Sequence, residues 1–236
     1  MVIPSRLVIY PELLLDLPTM DGFAGMGNGT VRFLLALNAA GVETFDLRPA
    51  MAAARFGTDG DRKDQLFLRG DPHWTPRGAE LSARAIGERV ASLPWFVRGP
   101  LKEGKDFQLK RVTLAHFGDL AVAGGAIPED LDATSVVGGS RPLGALSDNS
   151  RFVVVGDSFV HVYEWKGADL TTHLARFLGH KLALVTTDAG AIKESREKLA
   201  LWSPADWKSR KLVIGCVTEQ NLWCNPQWVK VPLFGS

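Results

Sequence analysis

The chain has 236 residues, enough for one large domain or two small ones, and with 46% of them hydrophobic and 22% charged its composition is ordinary for a globular protein. Its 27 basic residues nearly cancel 26 acidic ones, so no nucleic-acid surface or anionic-membrane partner is announced. Two cysteines cannot build a disulfide framework. Cys216 lies in an apolar run and reads as a small buried hydrophobe, with a single bridge to Cys224 as the alternative. No apolar stretch approaches the ~18 residues of a membrane span. Met1 to Arg6 also lacks the features of a signal peptide.

Taken in order, the pattern alternates strands with helices. Leu7 to Tyr10 reads as a short buried strand, closed by Pro11. Val31 to Ala40 reads as a helix ending at Gly41, a good C-cap. Val42 to Leu47 follows as a strand and Arg48 to Phe56 as a short helix. The loop from Gly57 to Asp64 carries Asp59, Asp61 and Asp64, but Lys63 stands where a calcium loop needs an oxygen ligand, so we expect a solvated turn. Gln65 to Arg69 reads as a third strand.

The clearest helix opens at Pro76. Ala79, Ala83, Ile86, Val90 and Leu93 recur at intervals of four and three and share one face. Thr75 suits its N-cap and Pro76 its first turn. From about residue 101 to 148 the regularity fades, with strands conceivable over Phe107 to Ala115, and we read an irregular insertion within a single domain spanning 1–236. The alternation resumes with a strand at Phe152–Val155 and a helix near Asp169–Leu178. A strand at Leu182–Val185, a helix at Ile192–Leu201 and a last strand at Lys211–Val217 follow. This order predicts an α/β fold: a three-layer α/β/α sandwich around a central, mostly parallel sheet.

Two segments carry chemistry. Gly156-Asp157-Ser158-Phe159 directly follows the run Phe152–Val155, and Asp71-Pro72-His73-Trp74 follows Leu66–Arg69. In open α/β sheets, sites lie beyond the carboxyl ends of strands, so both segments fall where a site is expected. A serine hydroxyl needs a base to become a nucleophile. His73 supplies an imidazole for that task, and Asp71 can fix its tautomer and stabilise the imidazolium. His116, His161, His173 and His180 read as structural or surface residues. No metal site or cofactor is expected.

Asp71-Pro72-His73-Trp74-Thr75-Pro76 resembles the Asp-x-His-Trp-Thr-Pro signature of the alginate O-acetyltransferases of the AlgX/AlgJ family, which carry an SGNH hydrolase-like domain. Gly156-Asp157-Ser158-Phe159, continuing to Tyr163, resembles that family's serine block. Val2 to Glu12, Leu174 to Gly179 and Asp188 to Ala191 are similar to it as well. The Asp/His pair precedes the serine, an order that separates this family from ordinary SGNH hydrolases.

The resemblance implies a periplasmic enzyme that moves acetyl groups onto hydroxyls of an exopolysaccharide through an acetyl-Ser158 intermediate. Its partners would be a polysaccharide acceptor, an acetyl donor and other components of a polysaccharide modification and export complex. It also implies that Tyr163 lines the site, with packing as the alternative. Trp74 can stack on a sugar ring or buttress His73, and the second role is preferred. An SGNH-type carbohydrate acetylesterase and an inactive polysaccharide-binding component are the alternatives, the latter disfavoured by the intact Asp71, His73 and Ser158.

Overall fold

The computed structural model describes residues 1–13, 28–56, 65–116, 129–144, 146–187 and 191–224. Its centre is a parallel sheet around β5 (Phe152–Val155), which pairs with β6 (Ala183–Val185) on one side and β7 (Leu212–Gly215) on the other. After Cys216 the chain continues as β8 (Val217–Thr218), which pairs in parallel with β1 (Val2–Ile3). Isolated parallel bridges from Val2 to Asp46 and from Leu146 to Leu182 extend the two flanks.

The side-chain alternation of β5 explains the layers. Val153 and Val155 face a cluster with Ala183, Val185, Ile192 and Leu199, the last two from the helix Ala191–Ala200. Phe152 and Val154 face the opposite way, toward Leu174, Leu178 and Ile86. Those residues come from the helices Leu170–Leu178 and Pro76–Ala91. With both faces covered, all four residues of β5 are buried, as a continuous apolar strand requires.

Helix Pro76–Ala91 begins as its sequence predicts. The Thr75 side chain accepts from the Gly78 amide, and Pro76 occupies the first turn. Ala79, Ala83, Ile86 and Val90 are buried, while Leu93 lies beyond the helix end. The helices Asn28–Ala39 and Arg48–Ala54 also match their sequence patterns, and Gly41 takes a positive φ of 81° just past the first.

Other segments depart from expectation. Arg6–Ile9 is one turn of α-helix, and the opening strand is Val2–Ile3 instead. Val42–Leu47 contributes only the bridge at Asp46. Gln65–Arg69 forms no regular strand. It folds back on itself through a Phe67–Trp74 antiparallel bridge, with the Leu68 amide donating to the His73 carbonyl and the Thr75 amide to the Leu66 carbonyl.

Within 101–148 lies a long antiparallel hairpin, Gln108–His116 against Glu129–Gly138, with the short strand Arg141–Pro142 added beyond it. Leu114, Leu131 and Ala133 of this hairpin pack with Leu68, Tyr163 and Ala168. Cys216 is a free, fully buried thiol, and burial pushes its pKa up to about 12. The three aspartates of the 57–64 loop lie outside the described residues, and so does the resemblance at 188–190. No helix among the described residues is long and apolar enough to cross a membrane.

One buried carboxylate makes stability depend on pH. Asp169 caps the helix Leu170–Leu178 by accepting from the Thr172 amide at 2.9 Å, yet its Oδ2 has no partner among the described residues. Burial outweighs the Thr172 hydrogen bonds and pushes its pKa up to about 7. The folded state therefore holds this proton to near neutrality, whereas the unfolded chain releases it at about 3.9. Its contribution to stability is full below the lower value and is lost as pH rises toward 7. Asp169→Asn keeps a capping oxygen without the charge. Its stability advantage over the parent chain should grow by about 2–3 kcal/mol between pH 5 and pH 8. Urea unfolding at the two pH values measures this, and an advantage that stays constant would contradict the assignment.

Candidate active site

Three residues meet at the carboxyl edge of the sheet. Ser158 opens a 3₁₀ turn, Ser158–Val160, two residues beyond Gly156 at the end of β5. His73 Nε2 lies 2.7 Å from Ser158 Oγ, and His73 Nδ1 lies 2.5 Å from Asp71 Oδ1. The His73 amide donates to the same Asp71 oxygen at 2.8 Å. Ser158 and His73 stay partly exposed while Asp71 is buried, so the hydroxyl and imidazole are reachable from solvent but the carboxylate is not.

The local folds that place these groups are well tied. Arg6 Nη1 donates to the Leu68 and Arg69 carbonyls at 2.9 and 2.8 Å, holding the loop that leads into Asp71. On the serine side, Asp157 accepts from the Phe159 amide at 3.1 Å and from Asn221 Nδ2 at 2.9 Å. Thr218 Oγ1 donates to it at 3.3 Å. Burial raises the Asp157 pKa above the usual carboxylate range, against the pull of the Phe159 amide and the Thr218 hydroxyl. Ser195 Oγ caps the Gly156 carbonyl at 2.5 Å, and Thr186 Oγ1 the Asp157 carbonyl at 3.0 Å. A Cβ on Gly156 would come within 2.5 Å of Val160 Cγ1, so the strand-to-turn corner is tight.

Electrostatics favour an ionised Asp71. Burial opposes its charge, but hydrogen bonds from His116, the His73 ring and the His73 amide prevail and hold its carboxyl well below the usual range. A carboxylate only accepts, so His73 Nδ1 must carry the proton it shares with Asp71. In the neutral ring that leaves Nε2 with a lone pair facing the Ser158 hydroxyl. The arrangement can accept a proton from Ser158 Oγ.

Tyr163 and Trp74 are placed behind this pair. Trp74 is fully enclosed, and Tyr163 is 1% exposed with its hydroxyl donating to the Trp74 carbonyl at 2.9 Å. Their burial fits the packing and buttressing alternatives and leaves neither ring a face for substrate. Tyr163 also sits at φ 77°, a left-handed conformation that costs a non-glycine residue of order 1–3 kcal/mol. Its hydrogen bond to Trp74 and its packing hold it there.

Two neighbours were not singled out in the sequence. The Phe159 ring lies 4.6 Å from the His73 ring and 5.4 Å edge-on from Trp74, so it forms one wall of the imidazole's seat. Its position directly after the serine was the available signal. His116, read as structural or surface, places Nε2 3.5 Å from Asp71 Oδ2. Nothing in its linear surroundings pointed there.

The model of a family described as the SGNH hydrolase-like domain of acetyltransferase AlgX matches residues 1–214. The chain belongs to that family. Among curated members, the probable alginate O-acetylase AlgJ of Pseudomonas syringae pv. tomato is 30% identical over 121 residues. That match spans 50% of this chain and 27% of that protein. The alginate biosynthesis protein AlgX of Pseudomonas putida is 29% identical over 147 residues, covering 57% of this chain and 29% of that protein. The chain thus matches under a third of the length of these AlgJ and AlgX relatives.

Two solved structures share the SGNH hydrolase-like fold. The O-acetyltransferase domain of Pseudomonas putida AlgJ superposes with a TM-score of 0.68 at 23% identity, covering 94% of this chain and 74% of that one. Pseudomonas aeruginosa AlgX gives 0.66 at 21% identity, with coverage of 92% and 50%. Membership of this AlgX family and these superpositions agree with the α/β/α layering.

Proposed function

We propose that this chain is a serine-dependent O-acetyltransferase acting on hydroxyls of an alginate-like exopolysaccharide in the periplasm. The observation that carries the reading is the continuous Asp71–His73–Ser158 hydrogen-bond chain, with separations of 2.5 and 2.7 Å. In the first half-reaction Ser158 Oγ attacks the acetyl carbonyl carbon of the donor while its proton passes to His73 Nε2. The tetrahedral intermediate collapses, the donor's leaving group takes the proton from His73, and Ser158 is left acetylated. In the second half, His73 removes the proton of a sugar hydroxyl, whose oxygen attacks the acetyl-serine carbonyl. Collapse returns the proton to Ser158 and releases the acetylated sugar.

The Ser158 backbone amide, at a strand-to-turn corner, is the candidate donor for the developing oxyanion, since no described group accepts from it. Asp71 stays ionised throughout and stabilises the imidazolium in each half-reaction.

The test uses a small activated acetyl ester with and without oligomannuronate, a soluble uronic-acid oligosaccharide. Peptide mass analysis should place one acetyl group on the peptide containing Ser158. Adding the oligosaccharide should discharge that group onto sugar rather than water. Discharge to water alone would leave the acetylesterase reading, and a chain that neither acylates nor turns over the ester would end both.

A further inference from the structure

We propose that His116 is a positioning residue for the Asp71–His73 pair, delivered by the hairpin Gln108–His116/Glu129–Gly138. The inference rests on the serine-dependent reading above. It begins with the two oxygens of Asp71. Oδ1 accepts from both the ring and the amide of His73, while Oδ2 faces His116 Nε2 at 3.5 Å. An ionised carboxylate has no proton to give, so His116 Nε2 is the donor in this contact.

The His116 ring has little freedom to do otherwise. It meets the buried Tyr163 ring edge-on, 5.6 Å between centroids at 68°, and its side chain is only 19% exposed. Across the hairpin its register partner is Glu129. Glu129 Oε1 accepts from the Arg69 amide at 2.7 Å and the Gly70 amide at 3.2 Å. Two residues directly opposed at one end of the hairpin therefore grip three consecutive positions, 69 to 71. One holds the backbone and the other the carboxylate.

The consequence is chemical. The terminal torsion of an aspartate is broad, so each donor on either oxygen narrows the carboxylate's rocking. A second donor at Oδ2 fixes the carboxylate plane and keeps Oδ1 aligned with His73 Nδ1. That alignment aims the free lone pair of Nε2 at Ser158. His116 never touches the substrate in this scheme, and its effect should fall on the chemical step rather than on binding.

The test compares His116→Phe, which keeps a ring against Tyr163 but has no donor, with His116→Gln, which keeps an N–H at similar reach. With the small acetyl ester, His116→Phe should lower kcat by about 10- to 100-fold with KM unchanged, the factor expected for a lost hydrogen bond to a charged group. His116→Gln should stay within about threefold of the parent. A packing role would give the reverse order. Glu129→Ala, which frees the Arg69 and Gly70 amides without altering His116, should also lower kcat and spare KM, and it reads the hairpin's role should His116→Phe fail to fold. Parent-like kcat in a folded His116→Phe, or equal losses for Phe and Gln, would overturn the inference, and so would parent-like kcat in Glu129→Ala should His116→Phe fail to fold. Ser158→Ala run alongside separates the two levels: if it too retains turnover, the serine-dependent reading has failed, and if it alone is inactive, only the role of His116 has.

Discussion

Ser158→Ala should lower turnover of a small acetyl ester by about a million-fold, and Asp71→Asn by about ten-thousand-fold. The first figure follows from removing the proposed nucleophile. The second follows from the two-sided use of Asp71, whose oxygens face donors on His73 and on His116. Asparagine offers one carbonyl oxygen and one NH₂ group. If the oxygen faces His73, the NH₂ faces His116, which must shift its own proton to Nδ1 to accept from it, and the negative charge that stabilises the His73 imidazolium is gone. If the NH₂ faces His73, the ring must shift its proton to Nε2, where it meets the Ser158 hydroxyl and the base is lost. Neither orientation restores the parent arrangement. The Ser158→Ala/Asp71→Asn double variant should be no slower than Ser158→Ala alone, because groups that act as a unit do not add. Steady-state kinetics of the three variants decides it. Full additivity would mean that Asp71 does not work through Ser158.

The site was legible in the sequence wherever chemistry sits in linear order. Asp71 and His73 are two residues apart, and Ser158 closely follows the unbroken apolar strand Phe152–Val155, so both segments stand out before any coordinates, although the run before Asp71 is not the strand its sequence suggests. His116 was not legible because it is separated by 45 positions from Asp71 and reaches it through a hairpin. A strand is expected over Phe107 to Ala115 and is found at Gln108–His116, but its pairing with Glu129–Gly138 is not legible, because the strand is mostly exposed and buries only Leu114. The strand read at Leu7 to Tyr10, where Arg6–Ile9 is a helical turn, failed for a different reason. Four consecutive residues with three apolar ones fit a strand and a helical turn equally well, and the Arg6 contacts to the Leu68 and Arg69 carbonyls are tertiary. Gln65–Arg69 reads as a strand but makes only the isolated Phe67–Trp74 bridge, because its partner is its own continuation.

These failures share a location. The parallel sheet and its two covering helix layers follow from local periodicity. The loop that carries Asp71 and His73 depends instead on long-range ties from Arg6, Glu129 and Tyr163. Local pattern therefore specifies the scaffold, and contacts distant in sequence set the geometry of the proposed chemistry.

Gly78→Ala should show that the seat of His73 is also a packing constraint on helix Pro76–Ala91. In an exposed helix interior this change stabilises by up to about 1 kcal/mol. Here the added Cβ would lie 2.3 Å from the Leu66 carbonyl oxygen and 2.9 Å from Trp74 Cβ. The nearest obstacle is backbone, and that same carbonyl accepts from the Thr75 amide at 2.9 Å, so it cannot swing aside without opening the loop. Overpacking costs of about 1–3 kcal/mol are typical when side chains can adjust, and a backbone obstacle belongs at the upper end. The clash outweighs the propensity gain, and a net loss of about 2 kcal/mol is expected. Urea unfolding should show a lower midpoint at unchanged m-value. Because Leu66 to Trp74 is the loop that holds Asp71 and His73, kcat should fall together with stability even where the chain remains fully folded. A variant as stable and as active as the parent would mean that the helix can retreat from the loop without disturbing His73, and that the close approach at Gly78 is not what sets the imidazole's position.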